Sequence, residues 1–349
     1  MTEAVESKDD LASPESGSVV HVAPSPHVCD GSLTTRLMML DVLIALAPVV
    51  AVAVYAFGWY AARQIGVCVL SCVAAEMLFA AMRKRRPMNV ATDLSALVTG
   101  LILAMSLPWS APWYVAAIGS VAAVGVGKVV FGGLGQNIFN PAMVGRAFVM
   151  ICFASALGAG AYVARPEDKG EIRVGIEESS KVDVISQATP MTVMKKGETC
   201  DLMKLLWGGT NGSLGEVSAV ACLIGGLYLC LRRTAAWQIP VGMILSVLVI
   251  GGLIDAIRPS DMTVFHHLLG GALLFGAFFI ATDPVTSPLT ARGRWIFGLG
   301  LGAVVMLLRV LSNYPEGVMF AVLLLNAVVP LINRWTIPAP VGGPVPAKK

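Results

Sequence analysis

The chain has 349 residues, of which 56% are hydrophobic and 13% charged, and its mean hydropathy is +0.75. Soluble domains of this size are far more polar, so lipid must form part of the solvent around this one. The net charge is only +3, and Lys and Arg lie in short clusters between apolar runs, which excludes the broad basic footprint of a nucleic-acid-binding protein.

In chain order, residues 1–35 come first as a polar, acidic segment (Glu3, Glu6, Asp9, Asp10, Glu15) without the basic start, apolar core and small-residue cleavage site of a signal peptide. They are expected to be a disordered cytoplasmic tail. A hydrocarbon core about 30 Å thick takes about 20 residues of helix. Ten apolar runs fit that rule, near 37–57, 61–82, 90–107, 113–131, 141–159, 214–231, 236–254, 263–281, 295–311 and 316–335. The expected fold is an all-α integral membrane protein of about ten transmembrane helices. One long polar connection, 160–213, divides it into a first five-helix half, 36–159, and a second, 214–335, with a closing tail at 336–349. An odd number of spans per half makes the halves enter from opposite sides, which permits inverted repeats. Ala91-Thr92-Asp93 recurs as Ala281-Thr282-Asp283, but one opens the third span and the other closes the eighth, so they are not symmetry mates.

Basic residues in short loops set orientation. With the N-terminus inside, the inner connections hold Arg83-Lys84-Arg85-Arg86, Lys128 with Arg146, Arg232-Arg233, Arg292 with Arg294, and Arg334 with Lys348-Lys349. The outer ones hold little beyond Arg63, Arg258 and Arg309. Both termini are therefore expected in the cytoplasm and the 160–213 loop outside it. Trp59, Trp109, Trp113, Trp207 and Trp237 fall at span ends, where amphipathic rings anchor at the interface. The seven cysteines include no C-x-x-C, and Cys68 and Cys72 share a helix face as plain packing. Asp41, Glu76, Asp93 and Asp283 sit near inner ends beside Arg83–Arg86 or Arg292, which predicts juxtamembrane ion pairs rather than a complete ion path. His266 and His267 point about 100° apart on a helix and do not readily chelate one metal.

The outer loop contains Asp183-Val184-Ile185-Ser186-Gln187-Ala188-Thr189-Pro190, which resembles the D-x-x-[ST]-G-A-T flavinylation motif. The last threonine of that motif receives FMN through a phosphoester bond made by a flavin transferase outside the cytoplasm. A hydroxyl supplies the nucleophile, and the small Ala188 leaves room beside it. Pro190 favours an extended Thr189, which presents the side chain. Gln187 departs from the glycine of the motif, and if that position needs a positive φ, it costs about 1–2 kcal/mol there.

A second stretch runs from Gly132 through Gly133-Leu134-Gly135-Gln136-Asn137-Ile138-Phe139-Asn140-Pro141-Ala142-Met143-Val144-Gly145-Arg146 to Phe148. With Ser25-Pro26-His27, Ala281-Thr282-Asp283-Pro284-Val285-Thr286-Ser287-Pro288 and Tyr314-Pro315-Glu316-Gly317-Val318, it resembles the RnfD component of the Rnf complex, a family homologous to the NqrB component of the sodium-pumping NADH:quinone oxidoreductase. The resemblance covers residues 25–335. It implies a bacterial inner-membrane subunit that works with the other subunits of a redox pump, passing electrons between ferredoxin and NAD while sodium ions or protons move. It also implies covalent FMN at Thr189, and a non-covalent riboflavin in the helices held by Asn137 and Asn140. Amides at i and i+3 on one helix face suit a flavin edge. The same residues also read as a helix start, with Asn140 as N-cap and Pro141 at the first helical position. The NqrB component of the sodium pump and a non-redox channel or transporter are the alternatives, and the latter has no need of the Asp183–Thr189 loop.

Overall fold

The computed structural model describes residues 34–84, 92–157, 202–208, 212–257, 263–312 and 317–338. The described residues are mostly helical and contain no strand, only one isolated bridge between Pro108 and Ser213. Helix α1 (Thr35–Phe57) starts at Thr34, whose Oγ1 accepts the Leu37 amide at 3.3 Å. Gly58, at φ +58°, ends it and lets α2 (Trp59–Met82) begin one residue later. The first half continues with α3 (Ser95–Ser106), α4 (Trp113–Val124) widening into a π-helical turn over Gly125–Val129, α5 (Pro141–Cys152) and the short α6 (Ala154–Leu157). Within the 160–213 connection lies α7 (Leu202–Trp207), followed by a 3₁₀ turn at Leu214–Glu216, α8 (Ala219–Leu231) and α9 (Gln238–Ile257). The chain then forms α10 (Val264–Leu269), α11 (Leu273–Phe275) with a second π-helical turn at Gly276–Ile280, α12 (Ala291–Leu311) and α13 (Val318–Thr336).

Helix falls within each of the ten expected runs, but five of the described helices, α1, α2, α9, α12 and α13, are long and apolar enough to cross a membrane by themselves. The expected 90–107, 141–159 and 214–231 contract to 12, 12 and 13 helical residues. Twelve residues reach about 18 Å, well short of a hydrocarbon core. The expected 263–281 is split into α10 and α11. Hydropathy counts apolar residues without regard to what covers them, and α3 shows the consequence: it is buried along nearly its whole length, from Ser95 to Ser106. A helix apolar all round belongs inside protein. The long helices instead expose Tyr55, Leu70, Val249, Leu307 and Leu324, side chains that suit a lipid-facing wall.

The break between α10 and α11 frees backbone carbonyls, and Gly271 turns there at φ +72°. Arg309 of α12, itself buried, closes that gap by donating to the carbonyls of His267 and Gly270, the latter at 2.9 Å from Nη2. Charged donors satisfy such carbonyls where water is excluded.

Two expectations are corrected by packing. Trp59, Trp113, Trp207 and Trp237 are exposed, but Trp109 is 6% exposed, stacked on Phe57 at 6.0 Å and edge-on to Tyr60 at 5.3 Å. Two of the acidic residues form the expected ion pairs, but with cations brought in from other helices. Asp41 of α1 accepts from Arg232 Nε at 3.3 Å, Thr234 Oγ1 at 2.8 Å and Tyr228 Oη at 3.3 Å, all from α8 and its exit. Glu76 of α2 pairs with Lys128. Cys68 and Cys72 are both buried beside Ser120 of α4.

Candidate functional site

One cavity, with about 770 Å³ of empty space including its open mouth, gathers most of the polar residues singled out above. Both halves of the chain build it. The N-terminal ends of α1, α3 and α5 contribute Met38, Met39 and Val42, then Ser95, Val98 and Thr99, then Asn140, Pro141 and Ala142. The C-terminal ends of α4 and α8 contribute Lys128 and Leu229, and the π-helical turn after α11 contributes Phe279. Asn137, Thr234, Thr282 and Asp283 come from the connections. The wall is mainly apolar with a few polar groups, the kind of lining that small-molecule and cofactor sites have.

Asn140 is held from three sides. Its Oδ1 accepts the Ala142 and Met143 amides at 3.1 and 3.3 Å, which makes it the N-cap of α5 with Pro141 at the first helical position. Its Nδ2 donates to the Ile280 carbonyl at 3.3 Å, which ties the start of α5 to the end of the second π-helical turn. The amide of Asn326 in α13, oriented so that both ends are satisfied, donates to Thr286 O at 3.2 Å and accepts from Asn140 N at 3.0 Å. Replacing Asn140 by alanine is expected to lower stability by about 1–3 kcal/mol, the sum of a lost cap and a lost inter-half bond. Thermal unfolding of the purified protein in detergent measures it.

Asn137 reaches the same cavity by a different route from the one its spacing suggests. It lies in the irregular connection before α5, so the two amides do not share a helix face. They line one cavity because the chain folds back between Gly132 and Gly135, both at positive φ. Asn137 is 5% exposed, its Nδ2 donates to Phe139 O at 3.2 Å, and its Oδ1 is buried without a partner. An orphaned acceptor on a cavity wall suits a ligand that carries an N–H donor.

Lys128 was legible only as one inner cation among several. It sits in the first π-helical turn, 3% exposed, and its ammonium donates to Glu76 and, at 2.5 Å, to Ser95 Oγ. Ser95 Oγ in turn donates to Asp93 Oδ1 at 2.6 Å, and the Ser95 amide donates to the same oxygen at 2.9 Å. Asp283 makes a related turn, accepting from Val285 N at 3.1 Å and Thr286 Oγ1 at 3.2 Å. Asp283 lines the cavity itself, and Asp93 adjoins it through Ser95. The one signal for Lys128 in the sequence was a charge adjoining an apolar run, which at membrane depth asks for a partner.

Thr189, Asp183, Ser186, Ala188 and Gln187 lie outside the described residues. Among the described residues no group of three or more His, Cys, Asp or Glu side chains is placed to hold a metal ion.

Residues 21–342 match the model of the family described as NQR2, RnfD, RnfE. The chain is 38% identical over 320 residues to the D subunit of the Na(+)-translocating ferredoxin:NAD(+) oxidoreductase complex of Acetobacterium woodii, covering 90% of this chain and 93% of that one. It is 39% identical over 341 residues to the D subunit of the proton-translocating ferredoxin:NAD(+) oxidoreductase complex of Clostridium ljungdahlii, covering 93% and 97%. With the D subunit of the ion-translocating oxidoreductase complex of Stutzerimonas stutzeri it shares 40% over 326 residues, covering 87% and 91%. The matches run from before α1 to beyond α13, so the loop, both π-helical turns and the cavity all fall within them, and the chain belongs to the NQR2, RnfD, RnfE family.

Proposed function

We propose that the chain is a flavin-carrying membrane subunit of an ion-translocating electron-transport complex of the ferredoxin:NAD oxidoreductase type. The observation that carries this reading is identity of 38–40% over most of both chains to the D subunits of such complexes. The relatives' names divide between sodium and protons, and the proposal covers electron-coupled movement of either cation. The protein works only with the other members of its complex.

The chain crosses the bacterial cytoplasmic membrane ten times in two halves of five, with both termini inside. Helix in each of the ten runs and the alternation of basic clusters support this reading. The short helices reach across because their non-helical continuations are enclosed by protein, the one setting in which irregular backbone is tolerated at membrane depth. The 160–213 loop then lies outside, where a flavin transferase joins FMN to Thr189 within the Asp183, Ser186, Ala188 motif. A non-covalent flavin of riboflavin type occupies the cavity of Asn137 and Asn140. A bound flavin supplies one-electron and two-electron redox chemistry. The chain's own part is to hold it: Asn137 Oδ1 accepts a hydrogen bond, Asn140 fixes the wall by joining α5 to Ile280, and Val98, Leu229 and Phe279 keep water away.

Co-expression with a flavin transferase tests the covalent site. The protein band on a denaturing gel is expected to fluoresce under ultraviolet light, and Thr189→Val is expected to darken it. A dark wild-type band sinks the covalent proposal, and a fluorescent Thr189→Val band moves the attachment to another residue such as Thr192.

A further inference from the structure

We propose that Lys128 is the charge-compensating residue of the cavity, its ammonium held at the wall by Glu76 and Ser95 to offset negative charge that enters the cavity on reduction. The inference rests on the reading that a neutral flavin occupies this cavity, and it concerns residues that reading does not use.

Three observations converge on the lysine. Lys128 and Glu76 are 3% and 4% exposed, and a buried ion pair is seldom more stable than apolar side chains of the same volume. Stability therefore does not explain the pair, and an ionisable group enclosed among membrane helices points to function. The pair also sits at a widened helical turn, a distortion that recurs at functional sites, and Lys128 itself lines the cavity beside Asn137. Its setting is held under strain as well. Leu94, between Asp93 and Ser95, adopts φ +64° and ψ 0°, a left-handed conformation costly for a bulky side chain. That turn lets Asp93 Oδ1 take both the amide and the hydroxyl proton of Ser95. The Ser95 oxygen is left to accept from Lys128.

An ammonium has three donor positions. Glu76 and Ser95 engage two of them, and no third acceptor is present among the described residues. In the oxidised state the charges of Lys128 and Glu76 offset each other. When an electron arrives from the carriers of the complex, no bond breaks and Lys128 keeps its proton. Lys128, which lines the cavity where Glu76 does not, meets the added charge in a medium where water screens little.

The test uses the full chain in a Thr189→Val background, so that riboflavin added as the probe is its only flavin. Equilibrium binding and a spectroelectrochemical titration are measured for this parent, for Glu76→Gln, and for Lys128→Met combined with Glu76→Gln. The double variant leaves no uncompensated charge and is the one expected to retain the parent's fold, whereas Glu76→Gln keeps an amide oxygen for the lysine but leaves a buried cation, so it is titrated only where its unfolding profile shows it folded. The double variant is expected to bind oxidised riboflavin within about twofold of the parent. At fixed potential its oxidised-to-reduced ratio should shift tenfold toward the oxidised form, which is 59 mV for a one-electron couple. Glu76→Gln alone, which keeps the cation and removes the anion, should shift the ratio the other way. Unchanged ratios in both variants with riboflavin bound overturn the proposal, because a purely structural pair predicts them. Loss of oxidised riboflavin in the double variant also overturns it, since Lys128 would then be a binding residue. A parent that binds no riboflavin overturns the flavin reading itself, a failure visible before any variant is titrated.

Discussion

Lys128→Met should destabilise the protein by about 3–5 kcal/mol, and adding Glu76→Gln should recover most of that loss. The asymmetry follows from burial. The Glu76 carboxylate is enclosed, one of its oxygens has no hydrogen-bond partner, and the other is held by Lys128. Removing the lysine leaves a buried charge with nothing to offset it, which costs far more than the pair contributes when intact. Neutralising both partners removes the problem along with the interaction. Thermal unfolding in detergent of the two single variants and the double gives the coupling between the sites directly. Independent, additive losses would show that the two residues do not act as a pair, and would remove the structural basis for the role of Lys128 in the cavity.

Leucine at both Gly298 and Gly302 should cost about 2–6 kcal/mol, taking about 1–3 kcal/mol for each overpacked site. These glycines are four apart on one face of α12, where α9 crosses. A Cβ at Gly302 would stand 2.5 Å from the Met243 carbonyl oxygen and 2.6 Å from Ser246 Cβ. A Cβ at Gly298 would stand 2.6 Å from the Ile239 carbonyl oxygen. Both obstacles are mostly backbone, which cannot rotate aside, so the helices must separate. Association within a membrane depends on close backbone approach at small residues, and this interface would lose it. Gly66 on α2 is the control, because its Cβ meets nothing within 4 Å, and Gly66→Leu should leave stability unchanged or slightly raised. Expression level and a monodisperse peak on size exclusion report the outcome. A well-behaved Gly298→Leu, Gly302→Leu protein would mean that α9 and α12 do not pack as described.

Asn137 and Asn140 were singled out from their motif, and both line the cavity, but the helical face that was to unite them does not exist. Asn140 plays the capping role that Pro141 signals, a local matter that four consecutive residues specify. What brings Asn137 to the same wall is a reversal at Gly132 and Gly135, and spacing alone does not reveal it. Lys128 and Glu76 are 52 positions apart in sequence, and Asp41 and Arg232 are 191 apart. Charge counting placed each near an inner end. It anticipated ion pairs but not these partners, because charge counting reads proximity along the chain, whereas helix packing pairs charges across it.

The sequence by itself determined the membrane class, the presence of helix in ten apolar runs and the Asn140 cap before Pro141, because each follows from short-range preferences. Only the tertiary structure decided which of those helices are long, which are short and enclosed, and where the ionisable groups meet. Hydropathy registers that a residue avoids water. Whether lipid or another helix covers it depends on the packing of the whole chain, and so does the meeting of α3, α5, α8 and both π-helical turns around one cavity.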